Sequence, residues 1–500
     1  MQKKLYTILF SVLLAFLFLP MIQEKLKLNV KPLRGVTYKT EFPELKLETF
    51  YDGKYQSQLE KYVSENFGFR EIAIRWYNQY VWTFFNKTYN KSFVRGSDNW
   101  FYYFEGYRDY KGNEFQNVFK TKEKAIESYE KNIRMMCQLR DILKEYGIEF
   151  MTFMAPDKPF IYPEHLPDTS RWSQPLRAFE YYDRRFSELG FPNIEMTKWF
   201  TAMRDTLSHP VMHTIDSHWG ISSVYGCDSL FRYLNSLNDF GMPQVKYGYA
   251  IRTNKKPTWD EQVLNLLFPV IKKNYNYKLD ITVDTIGSRK PRILFVGDSF
   301  IWSITNEMPL KDVLSDMEIW YYNSTVHKGF DLKKQKKEDI NSLASILKSD
   351  YVVFYSCGHQ WHKATFNFLE ETLADFGVTD ETTNHDREKV RRTLMQIDIE
   401  KDSIWNKILT SYSISNNINL NDVYQAEIDN IINGDSLIKD RFVFSDELLF
   451  DHKVEQIIES WKANPEMMKY LKDKARKKKK KLEEVILDDA RWVVNQEKNK

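Results

Sequence analysis

The first pattern along the chain is an unbroken apolar run. Leu5–Ile22 contains 18 residues without a charge and follows the basic start Met1–Lys4. A basic start before an apolar run is typical of an export signal, and 18 residues are near the lower limit for crossing roughly 30 Å of hydrocarbon. Because residues 19–25 lack the small residues of a cleavage site, we favour an uncleaved signal anchor over a cleaved signal peptide.

The anchor also predicts where the rest of the chain lies. Only four residues precede the run, and no second run of this length and polarity follows it in the sequence. We therefore place the N-terminus in the cytoplasm and a single span at residues 5–22. The predicted location is the inner (cytoplasmic) membrane, with the bulk of the chain periplasmic or otherwise extracytoplasmic.

Short apolar runs alternate with helical patterns through the middle of the chain. The clearest strand patterns are Ile148–Ala155, Arg292–Gly297, Met317–Tyr322 and Tyr351–Tyr355. Apolar strands that alternate with helices are typical of a mainly parallel sheet flanked by helices. We predict an α/β domain of this kind over residues 116–375.

Two regions flank this domain. Residues 23–115 are predicted to be a linker and an aromatic-rich region, with a β-hairpin around the turn residues Ser97–Asn99. Residues 385–500 are dense in charge and poor in Gly and Pro, which favours a helical extension. Within it, Leu420–Asn433 aligns with Leu482–Asn495, so the extension contains either two copies of a helical pair or two amphipathic helices that are similar by chance.

The composition excludes several classes of protein. The 500 residues are 42% hydrophobic and 15% aromatic, which excludes disorder for the bulk of the chain. A net charge of +3, from 72 basic and 69 acidic residues, is too balanced for a general nucleic-acid binder. Three cysteines cannot form a disulfide framework, which excludes a small stapled secreted scaffold.

A serine directly follows the best strand pattern. Gly297-Asp298-Ser299 ends the strand and precedes a predicted helix. In open α/β sheets ligands bind at this edge, and N–H groups at a helix N-terminus can stabilise an oxyanion. Ser299 is therefore a candidate nucleophile, although Asp298 and Ser299 would also serve as ordinary helix N-caps.

A candidate base and its orienting partner lie upstream, in Asp216-Ser217-His218-Trp219. In an extended segment, residues two apart point to the same side. Asp216 could then hold one ring nitrogen of His218 and leave the other for Ser299, as a serine nucleophile requires. Trp219 could wall the imidazole. The alternative is that Asp216 or Ser217 only caps the following helix.

The order of these blocks resembles a known family. An Asp-x-His-Trp block before a Gly-Asp-Ser block is similar to the SGNH-hydrolase-like domain of alginate O-acetylation proteins and their relatives in other surface-polysaccharide systems. Pro156–Glu164, Asn66–Arg70 and Gly96–Phe101 resemble further blocks of that family. The resemblance covers roughly residues 46–375.

The resemblance implies roles and partners. Ser299 would be the nucleophile, His218 the general base and Asp216 its orienter. It further implies a polysaccharide acceptor, an acetyl donor supplied by a membrane-bound O-acyltransferase, and no metal or nucleotide cofactor. No asparagine matches the oxyanion-hole residue of ordinary SGNH enzymes, so Asn323, after the next strand, is the candidate for that role.

Other residues are weaker candidates. Lys158, Trp219 and Asp298 could line the pocket, Lys158 because it follows a predicted strand. Cys357, His359 and His362 could suggest a metal site, but no further ligand cluster completes it, and we favour a loop at the rim. The basic run at residues 472–481 could bind anionic lipid, although a solvated helix face balanced by neighbouring acids is the favoured interpretation.

Three functions compete at this stage. The leading hypothesis is a membrane-anchored, exported O-acetyltransferase acting on a cell-surface or exopolysaccharide through a Ser-His-Asp triad and an acyl-enzyme. A carbohydrate esterase would use the same triad with water as the acceptor. A non-catalytic glycan-binding or scaffold subunit is the third hypothesis.

Overall fold

The computed structural model describes residues 2–26, 28–35, 40–170, 175–253, 258–270, 277–363, 365–378, 385–432, 454, 457–458, 460–478 and 480–498. The chain divides into two compact units, Met1–His385 and Asp386–Lys500.

The strands of the first unit are short. They are β1 (Phe93–Arg95), β2 (Phe101–Tyr103), β3 (Glu149–Ala155), β4 (Asn193–Glu195), β5 (Gln244–Tyr247), β6 (Ile251–Arg252), β7 (Tyr277–Lys278), β8 (Ile281–Asp284), β9 (Arg292–Gly297), β10 (Asp316–Tyr321), β11 (Thr325–Lys328), β12 (Lys333–Lys336) and β13 (Tyr351–Cys357).

The helices of this unit both precede and alternate with the strands. They are α1 (Gln2–Leu26), α2 (Leu47–Tyr51), α3 (Lys54–Asn66), α4 (Arg70–Phe85), α5 (Phe104–Lys111), α6 (Phe115–Phe119), α7 (Lys122–Glu145), α8 (Lys158–Ile161), α9 (Ala178–Leu189), α10 (Met196–Met203), α11 (Ser223–Asn238), α12 (Trp259–Val263), α13 (Ile301–Glu307), α14 (Leu310–Val313), α15 (Ser342–Leu347) and α16 (Phe368–Asp375).

A seven-stranded sheet forms the centre of the first unit. Its strand order is β12-β11-β10-β9-β13-β3-β4. The five strands from β10 to β4 are parallel, and β11 and β12 add an antiparallel edge. The predicted α/β fold with a mainly parallel sheet is confirmed.

The central strands are apolar because both faces of the sheet are covered. Every residue of β13 is buried, as are Ile293–Gly297 of β9. Alternate side chains point to opposite faces. Phe153 and Tyr355 belong to the core that includes α11, whereas Phe150 and Phe354 stack near Phe368 at the start of α16. Continuous hydrophobic runs are the pattern expected for such strands.

The region before the sheet domain is more regular than the sequence indicated. Residues 23–115, predicted as a linker and an aromatic-rich region, contain the end of α1, helices α2 to α4 and an antiparallel hairpin of β1 and β2. Trp82 of α4 packs with Phe93 and Phe101 of the hairpin and with Ile215, close to the Asp-x-His block.

Helix α1 has the properties of a membrane span. Lys3–Gln23 has a mean hydropathy of 2.4, and its apolar window is not buried against the rest of the chain. At about 1.5 Å per residue, this length is comparable with roughly 30 Å of hydrocarbon. The length and composition of α1 are compatible with a membrane anchor. A signal sequence has the same length and composition.

The described part of the second unit is helical. Its helices are α17 (Arg387–Lys401), α18 (Ser403–Asn416), α19 (Leu420–Ile432), α20 (Pro465–Lys478) and α21 (Leu482–Lys498). Helices α18 and α20 each contain 14 residues, and each is followed after three residues by the next helix.

The two helical pairs also start in the same way. Asp402 accepts hydrogen bonds from the backbone N–H groups of Ile404 and Trp405, and Asn464 accepts them from Glu466 and Met467. N-caps of this kind fix where a helix begins. In the basic run, Lys474 and Lys480 pair with Asp489 and Asp488 of α21.

Candidate active site

Ser299 lies in the turn between β9 and α13, at the carboxyl edge of the sheet. Gly297 permits this turn, because a Cβ at position 297 would overlap the carbonyl oxygen of Tyr355 on the neighbouring strand β13. Asp298 then ties the turn to β13. Its Oδ2 accepts hydrogen bonds from Ser356 Oγ (2.9 Å) and the Cys357 N–H (2.8 Å).

Asp298 is therefore an anchor of the turn. Its other oxygen, Oδ1, accepts a hydrogen bond from the Phe300 N–H at 3.0 Å. The side chain borders the cavity, as predicted for a pocket residue, but both of its oxygens are already engaged. What it contributes is the position of Ser299.

The structure brings Ser299, His218 and Asp216 together. Ser299 Oγ lies 3.0 Å from His218 Nε2, and His218 Nδ1 lies 3.0 Å from Asp216 Oδ1. The same Asp216 oxygen accepts the His218 backbone N–H at 2.9 Å. An imidazole held at one nitrogen and facing a serine hydroxyl with the other has the geometry of a general base beside its nucleophile.

The charges around His218 favour its protonated form. Burial by itself lowers the pKa of His218, but the hydrogen bond and charge of Asp216, with a further contribution from Asp260, raise it to about 9. For Asp216, burial raises the pKa, and the hydrogen bond and charge of His218 outweigh it and lower the pKa to about 2. The pair is thus an ion pair near neutral pH.

Asp260 is a second buried carboxylate at this site, and no sequence motif marks it. It lies in α12 and accepts two hydrogen bonds from Ser217, from the backbone N–H at 2.7 Å and from Oγ at 2.6 Å. Burial and the nearby charge of Asp216 raise the pKa of Asp260 to about 6. Asp260 therefore holds the loop that carries His218, and its ionised carboxylate adds negative charge beside the imidazole.

The two acids and His218 also form the one group of potential metal ligands found among the described residues, with their ligand atoms within 4.8 Å of one another. Both ring nitrogens of His218 are already engaged, one by Asp216 and one by Ser299. A metal ion would have to displace one of these partners, so the donor set fits a serine site better than a metal centre.

Lys158 does not line the pocket, contrary to the prediction. It is buried, and its Nζ donates to the carbonyl oxygens of Phe101 (2.8 Å), Thr214 (2.8 Å) and Asp216 (3.0 Å). Burial lowers the pKa of Lys158 to about 7, against the opposing charges of Asp216 and Asp260. Its role is to fasten the loop that carries Asp216 to the hairpin.

Trp219 does not wall the imidazole either. Its ring is buried in the core beside Phe153 and Phe200, and its Nε1 donates to the carbonyl oxygen of Phe300 at 3.3 Å. The ring next to His218 is that of Phe300, at 4.9 Å between centroids. Trp219 thus links the loop that carries His218 to the turn that carries Ser299, and it does so from the side of the core.

Asn323 is not available as an oxyanion donor. Its side-chain amide donates to Glu371 Oε2 (2.8 Å) and to the carbonyl oxygen of Phe366 (3.2 Å), outside the cavity. The preceding residue, Tyr322, lines the cavity, and its side chain interacts with Ser299. Among the described residues, the Ser299 backbone N–H donates to no acceptor, which leaves it free to bind an oxyanion.

Cys357, His359 and His362 do not form a shared metal site. His362 is buried between Tyr129 Oη and Asp109 Oδ1, both at 2.6 Å. His359 lies in the cavity wall, where its Nδ1 is 3.0 Å from Asp157 Oδ2. The segment expected at the rim is a 3₁₀ helix, Gly358–Lys363, in which Gly358–His362 are buried.

His359 is a second histidine of the cavity wall whose protonated form is favoured. Burial alone lowers the pKa of His359, but Asp157 raises it to about 9. Cys357 Sγ is 3.6 Å from the ring nitrogens, and burial together with Asp298 raises the pKa of this thiol well above its usual value. Cys357 is consequently a neutral wall residue in this arrangement.

The cavity around these residues has a volume of about 1180 Å³. Aromatic side chains contribute much of its wall, and sugars commonly pack on such rings. They are Phe93, Tyr103, Trp259, Tyr277, Phe300, Trp302, Tyr321 and Tyr322. The rings of Trp100, Phe101 and Tyr102 are buried in the core.

Known structures show distant similarity to this chain. The O-acetyltransferase domain of Pseudomonas putida AlgJ is 12% identical, with 60% of this chain and 98% of that chain covered and a TM-score of 0.34. Pseudomonas aeruginosa AlgX is 13% identical (56% and 66% covered, TM-score 0.31), and Bacillus cereus PatB1 with a sulfonyl adduct is 12% identical (55% and 99%, TM-score 0.35). No curated protein matches the sequence.

A family model gives the more specific relation. Residues 93–223 match the model described as the SGNH hydrolase-like domain of the acetyltransferase AlgX. This segment contains Asp216 and His218, whereas Ser299 lies beyond it. Over residues 93–223 the chain is therefore similar to this family, in agreement with the resemblance predicted from the motifs.

Proposed function

We propose that this protein is an O-acetyltransferase that is exported, anchored to the membrane by α1 and active on a cell-surface or exopolysaccharide. The observation that most supports this proposal is the hydrogen-bonded arrangement of Ser299, His218 and Asp216 at the carboxyl edge of the sheet. The family match to an acetyltransferase domain supports the choice of reaction. The large aromatic-lined cavity supports a sugar as the acceptor.

The first half-reaction forms an acetyl-enzyme. In the neutral form of His218, Nε2 takes the proton of Ser299 Oγ while that oxygen attacks the carbonyl carbon of the acetyl donor. The Ser299 N–H is placed to bind the developing oxyanion. Collapse of the tetrahedral intermediate breaks the bond to the donor group, which leaves with the proton from His218.

The second half-reaction transfers the acetyl group. His218, now neutral, takes the proton of a sugar hydroxyl, whose oxygen attacks the Ser299 ester. The ester bond to Ser299 breaks and Oγ recovers the proton from His218. A membrane-bound O-acyltransferase is the proposed source of acetyl groups, and no step above calls for a metal ion or nucleotide.

The test is capture of the acetyl-enzyme by mass. Full-length protein in detergent micelles is incubated with an activated acetyl ester, and wild type should gain one acetyl group that Ser299→Ala lacks. Losing a nucleophile costs several orders of magnitude in rate. Ser303→Ala, a matched serine in α13 that lines the same cavity, should still acylate.

The fate of the adduct separates the hypotheses. Discharge that is faster with a sugar acceptor than in water alone supports transfer. Equal discharge by water favours a carbohydrate esterase. If wild type gains no acetyl group while AlgJ does so in parallel, the catalytic proposal is wrong and a glycan-binding or scaffold role replaces it.

A further inference from the structure

Helix α4 (Arg70–Phe85) turns two polar residues inward beside Trp82 and carries large aromatic residues on its outward face. Arg75 and Asn78 are each only 8% exposed, whereas Trp76 is 62%, Tyr80 51% and Phe84 73% exposed. A helix on a soluble domain normally turns its apolar stripe inward and its charges outward. A face of this kind is built for surroundings other than bulk water.

The inward polar residues are firmly bound. Arg75 donates to the Pro32 carbonyl oxygen (2.8 Å) and to Asn265 Oδ1 (3.2 Å), and Asn78 donates to the Leu264 carbonyl oxygen (2.9 Å). These contacts fix the rotation of α4 about its axis. The aromatic residues are therefore held outward by the fold.

We call the exposed rings of α4, together with that of Tyr89 after its end, the α4 aromatic face: Trp76, Tyr77, Tyr80, Phe84, Phe85 and Tyr89. Tyr80 packs against Phe84 and Phe85 at 5.3 and 5.4 Å between ring centroids. Tyr77 packs edge-on against Tyr89 at 5.4 Å. All six are exposed.

The start of α4 is attached to the end of the apolar helix α1. The Phe69 N–H, at the N-cap of α4, donates to Gln23 Oε1 at 2.9 Å. A Cβ on Gly68 would overlap the carbonyl oxygen of Pro20, so the turn before α4 packs directly against the α1 backbone. Gln23 is the first polar residue after the apolar run, so this contact marks the level at which the span would leave the hydrocarbon.

We propose that the α4 aromatic face lies in the lipid headgroup region of the membrane that α1 spans. Trp and Tyr are enriched at that level, where an apolar ring and a polar edge are both satisfied. A helix lying in this layer buries its apolar face in the lipid. This inference rests on the proposed anchoring by α1 and adds a second contact, which holds the catalytic domain at a fixed orientation beside the membrane.

Photo-crosslinking to lipid tests the proposal. The photoreactive residue p-benzoylphenylalanine replaces Trp76 or Tyr80 in the full-length chain, which is reconstituted in vesicles of phosphatidylethanolamine and phosphatidylglycerol. Tyr249, an aromatic residue that is 92% exposed and lies elsewhere on the domain, is the matched control. After illumination, peptide masses should show lipid adducts at positions 76 and 80 that are absent at position 249.

Each other outcome overturns the proposal. Absence of adducts at positions 76 and 80 would place the face away from lipid, and adducts to a second copy of the chain would make it a protein interface. Equal lipid labelling at position 249 would remove the special role of α4. The labelling should be unchanged in a Ser299→Ala background, and the N-terminal peptide reports separately whether residues 2–26 remain, so failure of this proposal is distinguishable from failure of the proposed function.

Discussion

Asp260→Asn isolates the effect of the second carboxylate on the candidate base. An asparagine can keep both hydrogen bonds from Ser217, because its carbonyl oxygen accepts them as the carboxylate does. The loop geometry should therefore persist while one negative charge is lost. Since the pKa of Asp260 is about 6, the wild-type carboxylate is ionised throughout an assay from pH 7 to 10.

The size of the effect follows from the distance. The ligand atoms of Asp260 and His218 lie within 4.8 Å. At that separation two unit charges interact by about 1 kcal/mol in a water-like dielectric and about 3.5 kcal/mol at an effective dielectric constant of about 20. One pKa unit corresponds to about 1.4 kcal/mol, so Asp260→Asn should lower the pKa of His218 by about 1 to 2 units.

The assay is the pH dependence of acetyl-enzyme formation. A general base must be neutral, so the wild-type rate should rise with pH and level off above about 9, the pKa of His218. In Asp260→Asn the rise should move to about pH 7 to 8, and the neutral fraction of His218 at pH 7 should increase about ten- to fiftyfold, which sets the upper limit of the gain in rate. Glu307→Gln is the matched control, because Glu307 lines the same cavity and is not among the charges that act most strongly on His218.

Two results would refute the reasoning. One is an unchanged pH profile in Asp260→Asn, since the charge would then have no influence on the base. The other is an upward shift, which would mean that Asp260 destabilises the protonated histidine. A fall in rate at every pH, with the same midpoint, would show that asparagine fails to hold the loop.

Further expectations concern the residues that position the site. Lys158→Met should lower the free energy of unfolding by about 3 kcal/mol, because three buried carbonyl groups lose their donor. A loss below about 1 kcal/mol in denaturant unfolding would show that Lys158 does not hold the Asp216 loop to the hairpin. Gly297→Ala should prevent correct folding, because the new Cβ overlaps the Tyr355 carbonyl group, whereas Gly248→Ala, whose Cβ would be 3.9 Å from its nearest neighbours, should yield soluble protein.

The sheet could be predicted from sequence because its signal is local. Each of the strands β3, β9, β10 and β13 is a short apolar run, and burial on both faces is what makes such runs continuous. The positions of Ser299, Asp216 and His218 could be proposed for a similar reason. A serine at a strand end and an Asp-x-His pair are both readable within a few residues.

The surroundings of the site could not be predicted, because they depend on contacts between distant segments. Asp260 lies 42 residues beyond His218 in the chain and reaches its loop through tertiary packing. Trp219 and Lys158 were assigned to the pocket from their neighbours in sequence, yet both side chains turn into the core. Nothing local shows whether a side chain beside a motif points to the cavity or to the sheet beneath it.

The oxyanion site shows the same limit. Asn323 follows a strand end, which made it a reasonable candidate, but Glu371 and the Phe366 backbone hold its amide. The turn that carries Asn323 instead presents Tyr322 to Ser299. Both residues have positive φ angles, so the direction of each side chain is set by an unusual backbone turn that residue types alone do not specify.

The charge on His218 bears on the choice between transfer and hydrolysis under the proposed mechanism. With a pKa of about 9, only about 1% of the imidazole is neutral at pH 7, so any deacylation that needs this base is slow. Water and a sugar hydroxyl share that penalty equally. A sugar held against the cavity rings recovers rate through proximity, for which effective molarities of about 10⁵ M or more are known, whereas water is already present at its bulk concentration. Because so little of His218 is neutral, the acetyl-enzyme persists until an acceptor binds, and selectivity for transfer then depends on how well the cavity holds the glycan.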